Sequence, residues 1–303
     1  MSNQRKIVFL FGAGASYGAG GILPENPPLG FQLYDELEKI HPGSWGSLPS
    51  EFIDTFRTNF EDGMGLVYNN FGHTISQLMR EMAVYFIQFR PYPGRSLYCK
   101  LIQYLKEYDL LQSVLFSTLN YECVFEYSLL RQNLDIDYFN NKNDAIPIWK
   151  LHGSCNMFSE SLHIGQGISY GTGIAFEGGI KANLDSNEVI EECLVKSGLA
   201  PVMCLFMKGK PLQVSPSSIK YIQEEWAKQV LNAKAIFCIG VNPLPEDSHI
   251  WDYLSETKAT LYFIGDKKSF DDWNSNNREN ESIFISNYFH KGFEQLLTNL
   301  SQI

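Results

Sequence analysis

Seven short runs in this chain are almost continuously apolar: residues 6–11, 113–117, 147–151, 202–206, 235–239, 261–264 and 283–285. A half-exposed strand alternates apolar and polar residues, whereas a strand covered on both faces does not, so these runs predict buried parallel strands. Between them, residues 97–111, 122–132, 217–231 and 293–300 carry apolar residues three and four apart, the spacing of an amphipathic helix. Ser217 or Ser218 is the expected N-cap of the third. Strands alternating with helices imply an α/β fold with a Rossmann-like, doubly wound, mostly parallel sheet. Such sheets bind ligands outside the carboxyl ends of their strands.

Two stretches break the alternation. Residues 28–90 read as mostly helical and are expected to form an insertion beside the sheet, and residues 155–199, rich in Gly and polar groups, a loop-rich insertion. With no repeat or low-complexity linker, one domain over residues 1–303 is expected.

Composition narrows the function classes. Charged residues make up only 19% of the chain, which excludes a disordered segment or a long charged coiled coil. Lys and Arg number 24 against 34 Asp and Glu, a net charge of −10, so direct nucleic-acid binding is not expected. Gly12 and Gly14 interrupt the apolar run near the start, and no later run reaches the ~18 apolar residues of a membrane helix. No membrane association is expected. Six cysteines without a C-x-x-C pair, mostly among apolar neighbours, point to buried free thiols in the cytoplasm and to no zinc or other metal site.

Four segments at predicted strand ends carry candidate chemistry. In the first, the run 6–11 enters Gly12-Ala13-Gly14-Ala15-Ser16, a small-residue turn that lets a pyrophosphate approach main-chain N–H groups. Tyr17 and Gly18 break the G-x-G-x-x-G spacing, and no strand ending in an acidic residue follows about 20 residues on, which disfavours hydride transfer. In the second, Thr118-Leu119-Asn120-Tyr121-Glu122, Asn120 either orients a ribose hydroxyl or water, or caps the next helix. In the third, Lys150-Leu151-His152-Gly153-Ser154, His152 ends a strand, whereas His41, His73, His163 and His290 lie in segments that read as surface or helix. The fourth runs Gly240-Val241-Asn242-Pro243-Leu244-Pro245-Glu246-Asp247, where Asp247 orients a loop or opens a helix. Asp266, after the run 261–264, either accepts from the adenosine ribose or belongs to a turn.

The succession GAGAS, STLNYE, KLHGS and GVNPLPED resembles the sirtuin-like NAD-binding domain, in particular its bacterial antiphage-defence branch, from Ile7 to about Asp266. Glu122 stands where that family usually has Asp, and Asn242 where it has Ser. The four-cysteine zinc module of the deacetylating members is missing. The resemblance implies that Asn120 and His152 are catalytic, His152 as the base, and that NAD is the substrate. It implies that Gly12, Ala13, Gly14 and Ser16 bind it, with Ala15, Thr118, Gly240, Asn242 and Asp266 as further candidate binding residues. The implied activity is NAD glycohydrolysis to nicotinamide and ADP-ribose, depleting NAD in abortive infection. A homo-oligomer partnered by a HerA-type ATPase is implied as well. The alternative is a non-catalytic module that senses NAD or ADP-ribose and regulates that partner. A destructive activity needs a gate, for which residues 166–179 and the helical insertion are candidates.

Overall fold

The computed structural model describes residues 6–303 except 140, 143, 161–168, 171–173 and 197. Its centre is a seven-stranded sheet of β1 (Ile7–Phe11), β2 (Val114–Thr118), β3 (Ile136–Asp137), β4 (Ile146–Lys150), β5 (Ala235–Ile239), β6 (Thr260–Ile264) and β7 (Ser282–Ser286). The order is β7-β6-β5-β1-β2-β4-β3, and every pairing is parallel. The chain builds outward from β1 through β2 on one side, then returns to lay down β5, β6 and β7 on the other. The order therefore reverses between β1 and β5, which opens a crevice at their carboxyl ends.

The uninterrupted apolarity of the strands has its cause in two covered faces. Phe9 pairs in register with Phe116 and Phe237, and Phe237 with Tyr262. Their rings form a row across four strands at 5.6, 5.0 and 4.6 Å between centroids. Such contacts are worth about 0.5–1.5 kcal/mol each beyond the area they bury. Phe125 of α7 (Val124–Leu130) covers this face at 4.7 Å from Phe116. Side chains alternate across a strand, so Ser117 points to the opposite face. There Trp226 of α9 (Pro216–Asn232) donates its indole N–H to Ser117 Oγ at 2.9 Å, and Ser117 Oγ donates to Phe9 O at 2.6 Å.

Between β1 and β2 the chain forms α1 (Ala13–Gly18), α2 (Gly30–Ile40), α3 (Ser50–Thr58), α4 (Phe60–Asn70), α5 (Ile75–Phe86) and α6 (Leu97–Glu107). The helical character read for residues 28–90 matches α2 to α5. Later come α8 (Ser186–Leu194), α10 (Ser248–Glu256), α11 (Lys267–Asn277) and α12 (Phe289–Leu300). Of these, α8 lies inside the stretch read as loop-rich and packs on α5. Of the other gate candidate, residues 166–179, residues 166–168 and 171–173 lie outside the described residues, as does His163.

Three expectations need correction. Residues 202–205 are buried and Phe206 half-buried, but the run forms no sheet strand. Their main chain serves the turn after β4, with Ser154 N–H donating to Val202 O and Cys204 N–H to His152 O, both at 2.8 Å. The cap of α9 is neither Ser217 nor Ser218 but Ser215, at φ 51°, and Ser217 Oγ instead donates to Glu177 at 2.7 Å. The helix read over 97–111 stops at Glu107, because Asp109 takes a positive φ of 55°.

Beneath the sheet edge lies a fully buried ion pair. Lys150 Nζ stands 2.9 Å from Glu126 Oε1 and donates to Glu122 O at 2.7 Å. Burial is the largest influence on the Lys150 pKa and pulls it down, but Glu126, Cys123, Glu122 and Cys155 together outweigh it and the net shift is upward. Burial raises that of Glu126 against the opposing pull of Lys150. Removing one member leaves the other charge stranded, so Glu126→Gln is expected to cost about 3–5 kcal/mol, while the volume-matched pair Lys150→Met with Glu126→Leu costs far less. Urea unfolding of the three proteins checks this, and a midpoint unmoved by Glu126→Gln would refute it.

Candidate functional site

The crevice at the carboxyl edge of β1, β2, β4 and β5 is a cavity of about 1300 Å³. Gly12, Ala13, Gly14, Ser16, Asn120, His152, Gly240, Asn242 and Asp266 all line it. Ala15 and Thr118 stand behind this lining. Ala15 is fully buried, and Thr118 Oγ1 accepts from the Asn120 N–H at 3.0 Å.

Two glycine turns meet at its floor. The N–H of Gly14 donates to Gly240 O at 3.0 Å, that of Gly12 to Ile239 O at 2.9 Å, and that of Ala15 to Gly12 O at 2.9 Å. These three donors are thus engaged inside the protein. Gly240 has φ 64°, and a Cβ there would fall 1.9 Å from Ala15 N, while one on Gly12 would fall 2.4 Å from Gly240 O. Glycine is required here first by the contact of turn on turn.

Asn120 does not cap a helix, for α7 begins at Val124 with Cys123 before it. Its Nδ2 reaches three acceptors at 3.0 Å each: Gly12 O, Ser16 Oγ and Glu122 Oε1. Three acceptors around one atom identify it as the amide nitrogen and leave the carbonyl oxygen as the end that can accept from a ligand. Glu122 fastens the arrangement. Its Oε1 also accepts from Ser16 Oγ at 2.6 Å, and its Oε2 from the Val124 N–H at 2.5 Å.

His152 follows β4 on a turn held from several sides. Gly153 has φ 75° and sits so close to Val202 O that a Cβ would lie 2.0 Å away. Gln223 of α9 donates to Leu151 O at 2.7 Å, and Tyr121 Oη to Cys204 O at 2.9 Å. His152 Nε2 lies 3.0 Å from His249 Nε2 and 3.7 Å from Asp247 Oδ1. Burial, then the His249 and Lys210 charges, hold the His152 pKa well below the usual imidazole range. Burial and Lys210 push that of His249 down to about 4. Both rings are therefore neutral at pH 7, and a neutral imidazole keeps a lone pair for a proton. Burial raises the Asp247 pKa to about 6, against the lowering effect of Lys210.

Asp247 stands at the N-cap position of α10 without making a side-chain cap bond. Asp266 does cap, its Oδ2 accepting from the Ser269 N–H at 2.8 Å and from Ser269 Oγ at 2.9 Å, bonds that hold its carboxyl below the usual range.

Several lining residues escaped the sequence reading. Lys210, ion-paired with Glu61 of α4, brings together the helical stretch and the loop after residue 206. Arg95 and Lys208 add positive charge, and His290, read as a surface or helix residue, lines the mouth with Tyr288. His249 lies two positions beyond the end of the fourth segment and was not among the candidates.

No protein-family model and no curated protein matches this chain. Among solved structures, a crystal structure of Sir2 in complex with the inhibitor EX-527, 2′-O-acetyl-ADP-ribose and a deacetylated p53 peptide is similar at a TM-score of 0.44 and 14% identity, over 98% of this chain and 93% of that one. A structure concerned with the basis of sirtuin substrate affinity is similar at a TM-score of 0.44 and 15% identity, over 98% and 94%. At that distance the functional reading rests on this chain's own residues.

Proposed function

We propose that this protein is an NAD glycohydrolase that cleaves the nicotinamide–ribose bond to give nicotinamide and ADP-ribose. The observation that carries the reading is the convergence of Asn120 and His152. They come from neighbouring parallel strands onto one cavity at the switch point, one with its amide fixed in orientation and the other with a neutral imidazole.

In this reading the Asn120 carbonyl accepts from the attacking water or the nicotinamide ribose. The water oxygen bonds to the anomeric carbon as the carbon–nitrogen bond breaks, and nicotinamide departs with that electron pair. Because it leaves a cationic pyridinium as a neutral base, no general acid is required. The transition state is oxocarbenium-like, and carboxylates such as Glu122, Glu61 and Asp247 around the cavity favour that charge. His152 takes the proton from the water. Since the amides of Gly12, Gly14 and Ala15 are engaged and Ser16 Oγ is held by Asn120 and Glu122, the pyrophosphate is assigned to Ala13 and the exposed Arg95 at the cavity wall. Asn242, Gly240 and Asp266 line the part assigned to the adenosine.

The likeness of the four segments to the antiphage-defence branch supports a role in NAD depletion during abortive infection, as a cytoplasmic homo-oligomer alongside a HerA-type ATPase. Among the described residues, no helix is long and apolar enough to cross a membrane. The contact between His152 Nε2 and His249 favours a second reading, in which the cavity senses NAD or ADP-ribose without cleaving it.

Incubation of the purified chain with NAD and quantification of free nicotinamide separates the two. Release is expected for the enzyme, and none, with or without partner, for the sensor. His152→Ala and Asn120→Ala are each expected to lower release by about 10²–10⁴-fold with unfolding midpoints retained, and wild-type turnover in either would sink the assignment. For Arg95→Ala, a charge-assisted contact worth about 1.5–3 kcal/mol corresponds to a roughly tenfold or greater loss of ADP-ribose affinity by calorimetry. An unchanged Kd would remove Arg95 from the site.

A further inference from the structure

We infer that His152, His249 and Asp247 form a binding site for a transition-metal ion of the Zn²⁺ type. One donor atom from each of the three lies within 4.8 Å of the others. The two imidazole Nε2 atoms face each other at 3.0 Å, and Asp247 Oδ1 stands 3.7 Å from His152 Nε2. Donors on one tetrahedral zinc ion, at ~2.0–2.2 Å from the metal, stand about 3.3 Å apart, so these separations bracket what one ion requires. Two His and one carboxylate also form a donor set suited to zinc in a site that keeps a further position open.

A second observation is independent of the histidine pair. The side chain of Asp247 is 5% exposed, and its Oδ1 is buried without a hydrogen-bond partner among the described residues. Buried carboxylate oxygens are normally satisfied, and this one is directed at the two imidazoles. A cation among the three would answer it. The facing pair of Nε2 atoms can share only one proton while both rings are neutral, and an ion between them takes its place as that proton moves to Nδ1 of the same ring. Of the surrounding charges, Lys210 opposes a cation but is ion-paired with Glu61, and Glu246 and Asp252 add negative charge nearby.

The three residues reach this point from two segments, His152 from the turn after β4 and the other two from the start of α10. The ion occupies the lone pair that the proposed hydrolysis uses as its base. This consequence, unlike the site itself, rests on the reading of His152 given above. Zinc-loaded protein would then be silent, and removal of the ion would release the activity.

Titration of the chelator-treated full chain with Co²⁺, followed by visible absorption, tests the site without reference to activity. The expected result is ligand-field bands that saturate at one ion per chain and are displaced by Zn²⁺. Asp247→Asn and His249→Ala are expected to weaken binding by roughly tenfold or more, whereas His290→Ala, at the cavity mouth, leaves it unchanged. Thermal unfolding with and without Zn²⁺ covers a variant that folds poorly, because wild-type protein is expected to gain stability from the ion. Absence of both the bands and the Zn²⁺-dependent gain in wild type would overturn the site, as would titrations unaltered in both ligand variants. If Zn²⁺ binds and nicotinamide release continues undiminished, the inhibitory consequence falls. If chelated protein releases no nicotinamide, the reading of cleavage fails, and the Co²⁺ titration still decides the site.

Discussion

The contact of two backbone turns, Gly12-Ala13-Gly14 after β1 and Gly240 after β5, is the constraint on which the rest of the site depends. Its hydrogen bonds, Gly14 N–H to Gly240 O at 3.0 Å and Gly240 N–H to Ile264 O at 2.7 Å, tie the ends of β1, β5 and β6 together. No side chain fits between them, so the chain passes close on both sides of the point where the strand order reverses. The carbonyl of Gly12, turned toward β2, then becomes an anchor for the amide of Asn120. A turn that looks made to receive a phosphate is thus first a structural joint, and its ligand-facing properties are what remain once the joint is made.

From that joint the polar network spreads inward. Ser16, Asn120 and Glu122 form a closed set in which each atom's role is settled by its neighbours, and Glu122 also caps the start of α7. Immediately below, Lys150 donates to the main chain of Glu122 and pairs with Glu126. The loop that carries Asn120 is therefore fastened to the strand that carries His152 by buried charge, whose geometry is costly to disturb. The other wall, from Asp247 to His249, has fewer bonds of this kind. Among the described residues Asp247 Oδ1 has no hydrogen-bond partner, and the two imidazoles face each other beside that carboxylate, which leaves this wall to respond to a bound ion or ligand.

Charge follows the same division. The chain carries −10 overall, and the cavity wall includes Glu61, Asp62, Glu122, Glu246, Asp247 and Asp266. An anionic dinucleotide gains nothing from that field at long range, so local cations such as Arg95 and Lys208 matter more than the net charge. In the proposed reaction the same acidic wall suits a positively charged ring and the cationic ribose left when that ring departs. It also suits a metal ion beside His152.

Six of the seven apolar runs became strands of the sheet, because burial on both faces requires apolar side chains at every position and leaves a local mark in the chain. The run at 202–206 shows the limit of that mark. It is buried apart from the half-buried Phe206, but Val202 and Cys204 spend their main-chain groups on the turn bearing His152, and apolarity does not tell a strand from a loop pressed into the core. The strand-end positions of Asn120, His152, Gly12 and Gly240 were legible, since a parallel strand must end in polar or small residues where it meets a crevice. The helix starts were less so, because Ser215 and Glu122 act through a backbone angle and a long side chain that no spacing reveals. Tertiary structure alone decided what His152 faces. His249 lies 97 residues away in sequence, and Lys210 meets Glu61 across 149. Pairs so distant depend on how strands and loops are threaded, a three-dimensional relation that leaves no periodic trace along one chain.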